Sequence, residues 1–200
     1  MPPRTSLLIA LDADGVLLDY NRQFGKVWGD HFGQAPVCVE PRAYHATTYW
    51  GVEAPGHDHP FWSAFDQGGW GTMPAMEGAV DACRRLVAAG HRLVCVTSMP
   101  THREAERLAN LQALRFPIER VIATGHCKDK TANPKKQAIE ALGPDWFVDD
   151  ELRKLKELSG VNCVLVDPVH PDSPNEGQDD SYLAMRVHDL AEFANRLLAA

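Results

Sequence analysis

Short apolar runs alternate with longer amphipathic stretches along most of the chain. The runs "SLLIAL" (6–11), "RLVCVT" (92–97), "RVIAT" (120–124), "WFVD" (146–149) and "NCVLVD" (162–167) are nearly continuous in hydrophobicity and partly β-branched. Strands covered on both faces read this way. Between them lie helical patterns. "EGAVDACRRLVAAG" places Val80, Cys83, Leu86 and Val87 at helical spacing and stops at Gly90. "THREAERLANLQAL" (101–114) offers Thr101 as a cap, and "NPKKQAIEALG" has Asn133 as cap, Pro134 in the first turn and Gly143 at the end. "ELRKLKELSG" and the terminal "HDLAEFANRLLAA" are also amphipathic. The alternation predicts an α/β fold, a Rossmann-like three-layer core around a parallel sheet.

Residues 20–73 break the rhythm. They hold most of the tryptophan, with many Gly and Pro. "QFGKVWGDHFG" fits a helix interrupted by glycines, while "YHATTYWGVEAPGHDHPFWSAFDQGGWGTMP" resists assignment. A stretch this long between two strands is too long for a bare loop. It reads as a small, mainly helical insert, with residues 1–19 and 74–200 forming the core. "DPVHPDSPNEGQDDS" (167–181) is polar and Pro-rich and predicts a surface loop.

Composition narrows the classes. With 200 residues and 44% hydrophobic positions there is enough material for one sizeable core. The formal charge of −7, with no Lys/Arg run, argues against binding a nucleic acid polymer. Five cysteines (Cys38, Cys83, Cys95, Cys127, Cys163) form no C-x-x-C pair, and reduced thiols in a cytoplasmic protein are expected. The N-terminal apolar run is too short for a signal peptide and is broken by acids. No stretch approaches the roughly 18 apolar residues of a membrane span.

In parallel sheets, ligands sit at the carboxyl ends of the strands. The first strand ends on Asp12 and Asp14, the second on Thr97 and Ser98, and the fourth on Asp149 and Asp150. Lys135 or Lys136 opens the preceding helix. Carboxylates gathered at one sheet edge repel unless a cation sits among them, and hard oxygen donors favour Mg²⁺. Asp12 is then placed to attack as a nucleophile and Asp14 to move a proton. Thr97, Ser98 and a lysine are suited to hold phosphoryl oxygens, and Asp149 and Asp150 to complete a metal site.

These residues carry a resemblance. "LDADGV", "VCVTS", a helix-opening lysine and "WFVDD", in that order, resemble the haloacid dehalogenase superfamily over residues 6–20 and 74–167. The phosphatase pattern D-x-D-G-[TV] is matched. The resemblance implies a Rossmann-like core, Mg²⁺, an aspartyl-phosphate on Asp12, Asp14 as acid–base with its main-chain carbonyl on the metal, and residues 20–73 as a helical cap. It also implies a phosphatase rather than a dehalogenase, since the dehalogenase branch lacks an acid at the position of Asp14. "TMPAMEGAVDACRRLVAAGHRLVCVTSMP", "DKT" (129–131) and "VDD" further resemble the 5′(3′)-deoxyribonucleotidases. Lys130 lies further from Asp149 than the lysine of that family does from its acid pair, so Lys135 and Lys136 rank ahead of it.

The resulting expectation is a Mg²⁺-dependent hydrolase of a small soluble phosphate ester, nucleotidase-like in one form. A phosphomutase, a phosphonatase and a non-catalytic phosphate-binding module are the alternatives. A phosphonatase of this superfamily needs a lysine from the cap, and the insert holds only Lys26. "HDH" (57–59) and "HC" (126–127) lack a second ligand pair for zinc. Trp50, Phe61, Trp62, Phe65 and Trp70 either stack on a base or sugar or fill the small insert. Asp19 is either a residue near the hinge of the insert or a surface acid. Glu40, Arg42 and His45 also lie within possible reach of substrate.

Overall fold

The computed structural model describes residues 6–125, 132–168 and 170–199. His126, Cys127 and Lys130 lie outside them. Six parallel strands form one sheet in the order β3-β2-β1-β4-β5-β6. They are β1 (Leu8–Leu11), β2 (Arg92–Thr97), β3 (Val121–Ala123), β4 (Trp146–Asp149), β5 (Asn162–Val166) and β6 (Met185–Val187). Among the described residues eight α-helices accompany them: α1 (Tyr20–Phe32), α2 (Ala46–Trp50), α3 (Pro60–Gly68), α4 (Ala79–Ala88), α5 (Glu104–Ala113), α6 (Lys136–Leu142), α7 (Leu152–Leu155) and α8 (Leu190–Ala199).

Three layers follow from strand alternation. Ile9 and Leu11 face a core shared with Cys83 and Leu86 of α4, Leu111 of α5 and Phe193 of α8. Ala10 faces the other way, into a second core with Val94, Val96, Phe147, Ile139 of α6 and Leu152 and Leu155 of α7. Successive side chains of a strand point to opposite faces, so each central strand is covered on both.

Local details differ from the sequence reading in three places. Thr101 does not cap α5; it begins a single 3₁₀ turn, Thr101–Arg103, that leads into the helix. The stretch after "VDD" yields only the one-turn α7. The edge strand β6 escaped notice because it is three residues long, with Arg186 exposed in its middle. Cys83, Cys95 and Cys163 are buried free thiols, and Cys38 is partly exposed. Burial holds the Cys95 thiol up at about 12.

Residues 20–73 contain α1, α2 and α3, packed on one another through Phe24, Phe61 and Phe65. Gly25 of α1 admits Trp50 of α2: a Cβ there would lie 2.3 Å from the indole. The indole donates to the Asn21 carbonyl at 2.6 Å. The chain leaves and re-enters this segment through adjacent backbone. Asp19 N–H donates to the Pro74 carbonyl and Met76 N–H to the Leu17 carbonyl, at 2.8 and 2.9 Å. Among the described residues no helix is long and apolar enough to cross a membrane.

Candidate active site

The register brings three strand ends to one level. Leu11 pairs with Cys95 on one side and Val148 on the other, so Asp12 leaves β1 beside the ends of β2 and β4. Asp12 N–H donates to the Val148 carbonyl at 2.9 Å, and the chain then turns tightly, with Leu17 and Leu18 N–H both bonded to the Ala13 carbonyl. Gly15 sits in this turn at φ 81°, a region that favours glycine. A Cβ on it would also lie 2.1 Å from Asp150 Oδ2, so the glycine makes room for that carboxylate.

Asp12 is 2% exposed. Its Oδ1 accepts from the Ala13 amide at 2.6 Å and lies 2.6 Å from Lys135 Nζ. Its Oδ2 is 3.8 Å from Lys154 Nζ. Burial alone would raise its pKa, but the two lysines outweigh burial and hold the carboxyl below its ordinary value. Lys135 is fully buried and also donates to Asp149 Oδ2 at 2.6 Å. It stands at the cap position of α6, with its N–H on the Asn133 side chain at 2.9 Å.

Lys136 faces elsewhere. Its ammonium binds Glu140 at 2.6 Å and the Glu157 carbonyl, and it is partly exposed. Adjacent helical residues point about 100° apart, so only one of the two lysines can face the sheet edge. The structure brings Lys135 to the carboxylates and leaves Lys136 on the surface.

Asp12, Asp149 and Asp150 each offer an oxygen, all within 4.8 Å of one another. Burial pushes Asp149 and Asp150 above the ordinary carboxylate range, Asp150 furthest, and mutual repulsion adds to it. Lys154 experiences the opposite balance. Burial lowers its pKa, but Asp149, Asp12, Asp150 and Glu151 together raise it well above normal. A cation among three carboxylates would relieve their repulsion, and a set of three clustered oxygen donors fits one.

Asp14 turns away from this cluster. Its Oδ1 accepts from Arg107 at 2.9 Å, and its side chain remains 28% exposed. Burial pushes its pKa up against the pull of Arg107. Arg107 has no exposure and also meets the Met73 sulfur and the Trp70 ring. Thr97 is buried at the end of β2, with its carbonyl accepting from Thr124 N–H at 2.9 Å. The Ser98 hydroxyl is buried with no hydrogen-bond partner among the described residues.

A cavity of about 870 Å³ opens beside Asp14, Gly15, Asp150 and Lys154. The rest of its wall comes from residues 19–22, 43–46 and 75–77, from Pro41 and Tyr49, and from the segments after β5 and β6. Asp19 and His45 line it; Glu40 and Arg42 do not. Asp19 caps α1 by accepting from Arg22 N–H at 2.9 Å. Trp50, Phe61, Trp62, Phe65 and Trp70 are absent from the lining, and the aromatic rings there are Tyr20, Tyr44 and Tyr49. His57 is solvent-exposed beside Asp58, and His59 caps α3. The only group of metal-ligating side chains among the described residues is the aspartate cluster.

Arg107, Lys154 and Tyr44 escaped the sequence reading. Arg107 carried a signal: it lies on the helix face of Leu111 and Leu114, a charged residue at a core position. Lys154 and Tyr44 carried no comparable signal in the sequence.

No family model matches the sequence, and no curated protein matches it. Solved structures match its fold. An HAD family hydrolase from Deinococcus radiodurans R1, with bound phosphate and sodium, is 17% identical at a TM-score of 0.60, over 97% of this chain and 96% of that one. A defluorinating L-2-haloacid dehalogenase is 10% identical at 0.59, over 98% and 96%. A D,D-heptose 1,7-bisphosphate phosphatase from B. bronchiseptica, complexed with magnesium and phosphate, is 16% identical at 0.55, over 96% and 98%. The chain therefore has the α/β fold of haloacid dehalogenase-superfamily hydrolases, and that fold is shared by phosphatases and dehalogenases.

Proposed function

We propose that this protein is a phosphohydrolase that cleaves a small soluble phosphate monoester through an aspartyl-phosphate on Asp12. The observation that carries the reading is the pairing of two acids with different surroundings. Asp12 is held by Lys135 and Lys154, which favour its ionised form. Asp14, two residues on, is raised by burial and lines the cavity. Separate environments assign separate proton states, as an attacking base and a proton donor require.

Asp12 Oδ attacks phosphorus while the P–O bond to the leaving alcohol breaks and Asp14 gives that oxygen its proton. Asp14 then takes a proton from water as the water oxygen attacks phosphorus. The bond to Asp12 breaks and inorganic phosphate leaves. Thr97, the unpartnered Ser98 hydroxyl and Lys135 are assigned to the phosphoryl oxygens. Asp12, Asp149, Asp150 and the Asp14 carbonyl are assigned to a Mg²⁺ ion, which would neutralise the clustered charge. Residues 20–73 act as a cap over a core of residues 1–19 and 74–200.

A haloacid dehalogenase is the second reading, favoured by the dehalogenases that share the fold. It leaves Asp14 without a task, because a departing halide needs no proton, and the clustered carboxylates would repel the halide. The phosphonatase reading is weakened by Lys26, which pairs with Asp30 at 2.7 Å and lies outside the cavity. Parallel assays decide between the two main readings. Phosphate release from an aryl phosphate, stopped by EDTA and restored by Mg²⁺, is expected. Halide release from 2-haloacids without phosphate release would reverse the assignment.

A further inference from the structure

The cavity of about 870 Å³ has room for far more than a phosphoryl group, and its walls have a clear sign. Five carboxylates line it (Asp14, Asp19, Glu77, Asp150 and Asp189) against two cations, Arg22 and Lys154. Both cations are engaged. Lys154 sits 3.2 Å from Glu151 and 3.8 Å from Asp12, and Arg22 is 3.3 Å from Asp19. Lys135 is buried between Asp12 and Asp149, 2.6 Å from each, and is not among the residues that line the cavity. Asp14 and Asp150 belong to the candidate proton donor and metal site, so the rest of the wall, with Asp19, Glu77 and Asp189 against Arg22, carries the acidic sign.

At that wall Glu77 forms no ion pair among the described residues. Asp189 accepts from Glu192 N–H at 2.7 Å through Oδ1 and lies 3.5 Å from His188 Nδ1 through Oδ2, so it is held in place where it lines the cavity. His45, His170 and His188, with Tyr44 and Tyr49, add hydrogen-bond donors and acceptors. Hydroxyl and amino groups find partners on such a surface. A second phosphate or a carboxylate would meet like charge, and among the described lining residues Arg22 and Lys154 already pair with carboxylates.

We infer, building on the phosphohydrolase reading above, that the cavity takes monophosphates whose leaving group carries no second anionic group: sugar, polyol or amino-alcohol phosphates. The selection works by exclusion, through Glu77 and Asp189, as well as by the hydrogen bonds offered.

The test measures kcat/KM of the wild-type enzyme with Mg²⁺ on matched pairs: glycerol 1-phosphate against 3-phosphoglycerate, and a hexose 6-phosphate against the 1,6-bisphosphate. Phosphoethanolamine serves as the amino member and p-nitrophenyl phosphate as the control. The uncharged and amino members are expected to be favoured at least about tenfold over their anionic counterparts. Glu77→Lys is expected to narrow that gap by about tenfold, and Glu77→Gln to narrow it less. Hydrolysis of the control together with equal or better turnover of the anionic members would overturn the inference and leave the phosphohydrolase reading intact. No hydrolysis of the control or of any pair would overturn both.

Discussion

Arg107, a side chain with no solvent exposure, donates to Asp14 Oδ1 at 2.9 Å. One oxygen of Asp14 is thereby fixed by α5 while the carboxyl still lines the cavity. The same guanidinium touches Met73 and Trp70, where the chain returns from the helical insert. Asp14 is positioned from the core and from the insert at once. Arg107→Met is expected to lower kcat by about ten- to a hundredfold with little change in KM, because a misplaced proton donor affects the transition state more than binding. Arg107→Lys should recover part of the rate. Steady-state kinetics of both variants, alongside urea unfolding, check this; a rise in KM at constant kcat would contradict it.

The carboxylate cluster predicts metal-linked stability. An ion bound among Asp12, Asp149 and Asp150 and absent from the unfolded chain stabilises by about 2.7 kcal/mol at a hundredfold excess over its Kd. Mg²⁺ should therefore raise Tm, and Asp150→Asn should abolish most of the rise. The same variant removes a charge that burial and neighbouring carboxylates disfavour. Its metal-free Tm is expected to equal or exceed that of the wild type. Thermal melts with and without Mg²⁺ measure both effects.

Asp172 ties the loop beside the cavity to the loop after β5. It accepts from Tyr44 N–H at 2.6 Å and His45 N–H at 3.2 Å. Burial raises its pKa, but these amides and the Thr48 side chain together outweigh burial and hold it below the ordinary value of 3.8. A lowered folded-state pKa contributes stability that is fully present above about pH 4 and is lost as pH falls through the folded value. Asp172→Asn should cost no more than about 1 kcal/mol at neutral pH, since solvent screens a partly exposed carboxylate. The difference from wild type should shrink below pH 4. Urea unfolding at pH 7 and pH 3 makes the comparison.

The sheet was legible because its central strands are short continuous apolar runs that end on unusual polar residues. Asp12, Thr97 and Asp149 could be located by counting from the last apolar residue of each run. Residues brought in from other segments were not legible this way. Arg107 reaches Asp14 from 93 positions away, and Tyr44 meets the loop after β5 through Asp172, 128 positions on. Lys135 and Lys136 are equivalent in sequence; the turn at Asn133 decides which faces inward. Within 44–74, helices of five and nine residues broken by Gly and Pro leave no period long enough to read. The aromatics there are mostly committed to the insert's own packing, as Phe61 and Phe65 show.

The proposed mechanism phosphorylates Asp12 in every turnover. The most direct measurement mixes enzyme with excess ³²P-labelled phosphate ester, quenches in acid within one turnover and maps the label by proteolysis, with borohydride reduction to mark the acyl phosphate. The account predicts a hydroxylamine-labile label at Asp12, absent in Asp12→Asn, whose kcat falls by at least about a thousandfold. Full turnover by Asp12→Asn, or wild-type turnover with no label at Asp12, would contradict it.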